Sequence, residues 1–338
     1  MYPAIRSLLF QLEPEIAHHL TLQLMRIGGI QPINFILQIL YSAPSKPIEA
    51  FGLTFNNPVG LAAGYDKDGI AVRGLSALGF GHIEVGTVTP RPQPGNPKPR
   101  IFRLVEDEAV INRMGFPGKG AEFAFRQLSP LTKKQSAILG VNLGKNKKTP
   151  NEEAVFDYLE LLSIFSPFAN YLAINVSSPN TVGLRELQGH KALQALLTQL
   201  NEQRRLNETR LEKKIPLLVK LSPDLSDKEL DEALGVILET GMDGVIATNT
   251  TLAREGLSST RQAETGGLSG SPLRVRSEAL LKKIVRRVDG RVPIVSVGGI
   301  MSPDDAKRRL NMGATLVQIY TGLIYRGPGL AREIVKSL

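Results

Sequence analysis

From residue 50 onward, short apolar runs rich in β-branched residues alternate with amphipathic stretches of roughly 10–20 residues. The first four runs are Pro58–Ala63 (PVGLAA), His82–Val88 (HIEVGTV), Ile138–Leu143 (ILGVNL) and Tyr171–Ser177 (YLAINVS). Four more follow: Pro216–Leu221 (PLLVKL), Gly244–Thr250 (GVIATNT), Pro293–Val297 (PIVSV) and Leu316–Thr321 (LVQIYT). Each is too short for a helix, and its continuous apolarity suits a parallel strand buried on both faces. Helix-like stretches fill the gaps, among them Glu186–Leu206 and Ser226–Thr240. The latter opens on Ser226-Asp-Lys-Glu229, a capping box in which serine and glutamate satisfy each other's backbone N–H groups. Eight strands, each followed by a helix, predict an α/β chain folded as a (β/α)8 TIM barrel. Such a barrel needs about 250 residues, so about 90 are surplus here.

The surplus has two homes. Residues 1–45 read as a separate small helical segment, with residues 46–338 as the barrel. The start, Met1–Leu12, lacks the long apolar stretch of a secretory signal. Residues 27–45 carry no charge, but Gly28, Gly29, Pro32 and Pro44 interrupt them, which makes a poor membrane span. Two or three short helices are expected, one opening at Pro14-Glu15 and another at Pro32. With 24 apolar residues in 45 and charges only at Arg6, Glu13, Glu15 and Arg26, the segment is apolar and net neutral. It either packs on the parent barrel or lies in a bilayer interface.

The second home is residues 90–120, too long for a simple connection between the second and third strands. It begins with five prolines in ten residues, within TVTPRPQPGNPKPR (Thr87–Arg100). In a barrel loop this reads as a rigid lid over the active face.

Composition narrows the chemistry. The chain has no cysteine, which removes disulfides, thiolate metal ligands and thiol catalysis. Its four histidines show no zinc-ligand spacing, and no metal is expected. The net charge of +9 suits nucleic acid, an anionic membrane surface or anionic small molecules, and by itself selects none of them.

In this fold chemistry sits where strands end, and the ends here are polar: AAGYDKDG, EVGT, NLGKN, NVSSPNT, VKLSPD, ATNTT, VGGI and YTG. Glycines at the last two ends, Gly298-Gly299 and Gly322, suit a phosphate held by backbone N–H groups, and Gly266-Gly267 and Gly270 add further donors. Lys67 and Lys220 join Asn112, Asn142, Asn175, Asn180 and Asn249 on the same face. Several amides suit a flat ligand with alternating carbonyl and N–H groups, and the lysines suit a carboxylate or an electron-rich ring.

With GLAAGYDKDG, EVGTVTPRPQPGNPKPRIFRL, INRMGF, NVSSPNT, IATNTT, TGGLSGSPL and VGGI in this order, the chain resembles the quinone-dependent (class 2) dihydroorotate dehydrogenases over essentially its whole length. The resemblance implies an FMN-containing barrel that oxidises (S)-dihydroorotate to orotate in de novo pyrimidine synthesis, with a membrane quinone as acceptor. It assigns cofactor contacts to Ala63, Gly64, Tyr65, Asp66, Lys67, Thr87, Asn142, Asn175, Lys220 and Thr248, with Gly270, Gly299, Tyr320 and Thr321 on the phosphate side. Substrate contacts fall to Lys67, Asn112, Arg113, Met114, Gly115, Phe116, Asn175, Asn180, Asn249 and Thr250. Ser178 matches the base that takes the C5 proton while hydride leaves C6, and Thr181 is the candidate relay for so weak a base. The other branch of the family has cysteine at that position, a choice closed to this chain. Arg103 and His18 are candidate contacts on the quinone side. The N-terminal segment then reads as a membrane-docking piece, placing the protein peripherally on the cytoplasmic face of the inner (cell) membrane, without nucleic acid. Departures are small: Tyr65 where relatives often carry an aliphatic residue, and VKLSPD for VKIAPD.

Three rivals remain in view. A soluble FMN barrel that passes electrons to fumarate or NAD would have no use for residues 1–45. A flavoenzyme that reduces transfer-RNA uridines would need a catalytic cysteine and an RNA-binding domain. A non-catalytic phosphate-binding barrel would leave the lysines, Ser178 and the asparagines unexplained.

Overall fold

A computed structural model describes residues 2–131 and 137–338. All eight runs become strands: β1 Val59–Leu61, β2 His82–Val88, β3 Ile138–Leu143, β4 Tyr171–Asn175, β5 Leu217–Leu221, β6 Gly244–Ala247, β7 Ile294–Val297 and β8 Leu316–Ile319. Each pairs in parallel with its sequence neighbours, and β8 closes onto β1 to give the (β/α)8 barrel. Apolar side chains on the outer face of the strands pack against the surrounding helices in one large core. The inward face has its own smaller core, with Ala62, Tyr171, Ala173, Leu218, Ile246, Val295 and Leu316.

Two hairpins supplement the barrel. One, Ile48–Ala50 with Leu53–Phe55, closes its N-terminal end, and Phe55 packs edge-on against the buried ring of His82 at 5.5 Å. The other, Ile101–Leu104 with Ala109–Asn112, lies in the long insertion and gains a third strand, Gly267–Gly270, from the loop after β6. Neither hairpin was legible in the apolar pattern, because three- and four-residue strands carry too few positions to show alternation.

The helices follow their signals with one adjustment. Asp227–Glu239 begins at Ser226 with both halves of the capping box formed. The helix expected over 186–206 starts only at His190 and runs to Leu211, because Gly183 in the left-handed region and extended Gly189 set off a 3-10 turn over Leu184–Gln188.

The N-terminal segment forms three helices, α1 Tyr2–Gln11, α2 Pro14–Gly28 and α3 Ile33–Tyr41. No helix among the described residues is long and apolar enough to cross a membrane. One face is docked: Leu22 joins the main core, and the Asn34 amide donates to the carbonyls of Gly28 and Arg73 at 3.2 and 3.1 Å. The other face is bare. Of the 20 exposed large apolar side chains among the described residues, 13 lie between Ile5 and Leu40, a concentration that marks an interaction surface rather than ordinary exposure.

Inside the barrel, the register sets glycines beside large rings on neighbouring strands, Gly60 beside His82 and Gly140 beside Tyr171. A Cβ at Gly140 would come within 2.1 Å of the Tyr171 ring, so only glycine lets that ring cross the interior. Gly140→Ala is expected to cost about 1–3 kcal/mol through overpacking. Urea unfolding of the variant beside wild type measures it, and an unchanged midpoint would contradict the crossing.

Candidate active site

The C-terminal ends of the strands open into a cavity of about 410 Å³. At its floor lies a buried charge. The Glu84 carboxylate, on β2, stands 3.4 Å from Lys220 Nζ on β5. Its Oε1 also accepts from Asn142 Nδ2 at 2.8 Å, and its Oε2 accepts from Gln318 Nε2 at 2.8 Å and from the Tyr171 hydroxyl at 3.2 Å. Burial, with the Glu84 charge beside it, raises the Tyr171 phenol well above its ordinary range, so the hydroxyl stays a donor. Every oxygen of the carboxylate is thus answered, as a buried charge requires.

Above this floor the amides form a connected wall. Asn175 Nδ2 donates to Thr87 Oγ1 at 2.9 Å and to Asn142 Oδ1 at 3.0 Å, and Thr87 Oγ1 donates to the same Asn142 oxygen at 2.6 Å. Asn249 Nδ2 donates to Asn175 Oδ1 at 3.2 Å and to Ser177 Oγ at 3.0 Å. Across the mouth, Asn180 Nδ2 donates to Asn112 Oδ1 at 3.1 Å and so joins the loop after β4 to the insertion. Such mutual bonding fixes which amide edges face the cavity.

Ser178 is buried on the loop after β4, where its Oγ accepts from the Asn180 N–H at 3.2 Å. No hydrogen bond joins it to Thr181, whose own hydroxyl is buried without a partner among the described residues. A cross-brace steadies this loop. Arg185 donates to the carbonyls of Ser177 and Thr250 at 3.1 and 3.0 Å and pairs with Asp224 at 3.0 Å, tying the loops after β4 and β6 together.

Lys67 Nζ donates to the Gly64 carbonyl at 2.6 Å. Burial pushes its ammonium down to about 8, against the opposing pull of Asp68 and Glu15.

The cavity continues away from the barrel until it emerges between α1 and α2, where Tyr2, Ile5, Phe10, Leu24 and Met25 line it. Tyr65 stands at the junction: its ring lies edge-on to His18 at 5.1 Å and to Tyr320 at 6.2 Å, and its hydroxyl donates to Thr21 Oγ1 at 3.1 Å. Burial, reinforced by the Lys67 charge, pushes His18 down to about 3, which leaves a neutral imidazole. Arg103 also lines this arm; its guanidinium donates to the Leu9 and Leu12 carbonyls and covers the Phe10 ring at 4.7 Å.

Most residues singled out from sequence meet on this one surface. Ala63, Gly64, Tyr65, Lys67, Thr87, Asn112, Met114, Gly115, Phe116, Asn175, Ser178, Asn180, Lys220, Thr248, Asn249, Thr250, Gly270, Gly299, Tyr320 and Thr321 all line it. Three stand behind it. The Asp66 carboxylate accepts from the Ile70 and Ala71 N–H groups at 3.0 and 2.7 Å and caps the following turn. The Arg113 guanidinium turns outward to Glu264 at 2.7 Å and lies over the Phe102 ring at 4.4 Å. Asn142 is fully buried beneath Thr87. Glu84, Tyr171 and Gln318 were not singled out from sequence, although a lone carboxylate inside the apolar run HIEVGTV was a signal that it needed a buried partner.

A family model described as dihydroorotate dehydrogenase matches residues 47–338. Similar curated proteins include a dihydroorotate dehydrogenase (quinone) of Halorhodospira halophila, 50% identical over 100% of this chain and 97% of that protein. One of the same name from Azotobacter vinelandii is 48% identical over 100% of this chain and 96% of its own length. Among solved structures, a ligand-free DHODH of Eimeria tenella is 41% identical with a TM-score of 0.88, over 96% of this chain and 93% of that one. A DHODH from the same organism in complex with ferulenol is 40% identical with a TM-score of 0.87, over 96% of this chain and 90% of the other.

Removing one member of the Glu84–Lys220 pair strands the other charge. Glu84→Leu should lose about 3–5 kcal/mol of stability, and adding Lys220→Met should restore the part owed to the stranded ammonium, leaving the part owed to the unanswered Asn142, Gln318 and Tyr171 donors. Chemical denaturation of both single variants and the double variant reads this directly; additive losses would refute the pairing.

Proposed function

The chain belongs to the dihydroorotate dehydrogenase family, and from that membership we propose that it oxidises (S)-dihydroorotate to orotate in de novo pyrimidine synthesis. FMN is the proposed cofactor and a membrane quinone the proposed acceptor. The observation that carries the reading is the continuity of the cavity, from an amide-and-lysine floor to an apolar mouth between α1 and α2 beside a bare apolar face. An enzyme that handles one polar and one lipid-borne reactant has use for both ends.

The residues present fit FMN. Buried donors at Thr87, Lys220 and the amide wall suit the polar edge of an isoalloxazine ring, and Gly270, Gly299 and Thr321 offer a compact cradle for its phosphate. Lys220, Thr87, Asn175, Thr248, Ala63, Gly64 and Tyr320 would hold the ring system and Tyr65 and Lys67 complete its surround, while Asn142 supports Thr87 from beneath and Asp66 fixes the turn behind. When bound there, FMN supplies the two-electron acceptor for the hydride from C6.

The protein's own groups do the rest. Asn112, Asn175, Asn180 and Asn249 present donors and acceptors to the pyrimidine edge, Lys67 neutralises the carboxylate, and Met114 to Phe116 and Thr250 enclose the ring, with Arg113 held outside it on Glu264. Ser178 Oγ removes the C5 proton. Its buried position excludes bulk water, and the unpartnered Thr181 hydroxyl nearby is available to pass the proton on. The apolar face of α1 to α3 rests on the cytoplasmic leaflet of the cell membrane, so that quinone enters the cavity without crossing water. His18 and Arg103 stand along that path.

An anaerobic visible spectrum before and after adding dihydroorotate tests the reading. A flavin band that bleaches supports it, and one that persists refutes the substrate. In the same assay Ile30→Glu with Ile39→Glu, both on the bare face, should leave the bleaching intact while weakening vesicle binding and quinone reduction. An unchanged quinone rate would refute membrane docking.

A pH dependence also follows. An anion bound beside Lys67 favours its ammonium, so binding is coupled to that group's protonation. Affinity for orotate should be level below the free-protein value of about 8 and should fall as pH rises through it, by up to about tenfold per unit. Calorimetric titration across that range checks it, and a flat profile would remove Lys67 from the anion site.

A further inference from the structure

Arg309 has a place in this protein that the catalytic reading does not require. It sits in the helix Pro303–Asn311 after β7, fully buried, and is the largest fully buried side chain among the described residues. Burying a guanidinium costs several kcal/mol unless its donors are answered. Burial pushes this one down to about 10, which still leaves it charged at neutral pH.

Its Nη2 end goes to one spot, while Nη1 donates to Ser296 Oγ at 3.4 Å and Nε is buried without a hydrogen-bond partner among the described residues. Nη2 donates to the Gly298 carbonyl at 2.8 Å, to Ser277 Oγ at 2.7 Å and to the Arg274 carbonyl at 3.2 Å. Ser277 Oγ in turn donates to the same Gly298 carbonyl at 2.8 Å. One guanidinium therefore ties together the glycine loop after β7 and the first turn of the helix Leu273–Val288. The two backbones touch so closely that a Cβ on Gly299, at φ +73°, would come within 2.4 Å of Arg274 Cα.

In a trans peptide the carbonyl of one residue and the N–H of the next point in opposite directions. Holding the Gly298 carbonyl on Arg309 therefore turns the Gly299 N–H away from the guanidinium. That N–H has no acceptor among the described residues, and Gly298 and Gly299 both line the cavity. The local charge points the same way: Arg274, Arg308 and Arg309 are gathered against only Glu278 and Asp305, an excess of one positive charge behind the loop.

The geometry points to Arg309 as a positioning residue that makes this end of the cavity selective for a phosphorylated flavin over the unphosphorylated one. It acts through the Gly298–Gly299 peptide and touches no ligand itself. The inference rests on the FMN reading and deepens it, since it says which buried group sets the preference for the phosphate.

The experiment compares FMN with riboflavin on the full-length chain stripped of flavin, read by flavin fluorescence quenching. Wild type should hold FMN much more tightly than riboflavin. Arg309→Met should weaken FMN by at least about tenfold, the scale of a lost charge-assisted hydrogen bond, and leave riboflavin within about twofold. Arg309→Lys should recover part of the difference. If Arg309→Met lacks a cooperative thermal transition, Ser277→Ala takes its place, with a smaller loss confined to FMN. Equal weakening of both flavins, or of neither, overturns the role assigned to Arg309. Wild type that does not distinguish the two flavins overturns the FMN reading instead.

Discussion

The carboxylate of Glu84 stands inside the barrel, where water cannot solvate it, and the surrounding strands are arranged to answer it. Its donors come from Asn142 on β3, Tyr171 on β4, Lys220 on β5 and Gln318 on β8, so with β2 itself five of the eight strands meet at one group. A shift of one residue in any of them would turn its donor out of the barrel and leave an unpaired charge in low dielectric. The same pair holds Lys220 in place below the amide wall, and the wall is keyed to it through Asn142. Stability, strand register and the polarity of the cavity floor thus depend on a single buried ion pair with its hydrogen bonds.

The eight strands were legible because a parallel strand buried on both faces leaves an uninterrupted apolar run, and such runs recur at barrel spacing. The cavity-lining residues were legible for a related reason: they are the polar residues that end those runs. What escaped was whatever depends on contacts distant in sequence. Asp66 and Arg113 sit inside informative motifs, yet one caps a turn and the other reaches Glu264, 151 residues away. Glu84 looked like one more strand-end residue, and only the closed barrel brings it to Lys220. Arg309 is a basic residue on an amphipathic helix, and nothing in its neighbours along the chain separates it from the exposed Arg308 beside it.

The N-terminal segment left two possibilities open from composition, packing on the barrel or lying on a bilayer, and the structure satisfies the first without spending the residues needed for the second. Docking uses a few contacts, among them Leu22 and Asn34, on one side of the helices. Most of the apolar residues face outward. A segment that is half apolar and nearly uncharged has enough for both faces, which is why its composition alone could not choose.

In the roof over the outer arm of the cavity, α2 is held by side-chain pairs, Glu15 with Arg100 and Thr21 with Tyr65, whereas the fastenings of α1 run to main chain. Arg103 holds the carbonyls of Leu9 and Leu12, Tyr2 holds that of Ile324 and Arg6 that of Tyr325. A carbonyl is present whatever side chain its residue carries, so positions such as Leu9 and Ile324 are free to change size and shape without loosening the roof. The outer arm can therefore drift between species while its framework persists. A small molecule that fills it would distinguish one organism's protein from another's, whereas one directed at the amide wall, where each side chain holds the next, would find the same surface in every relative that keeps the network.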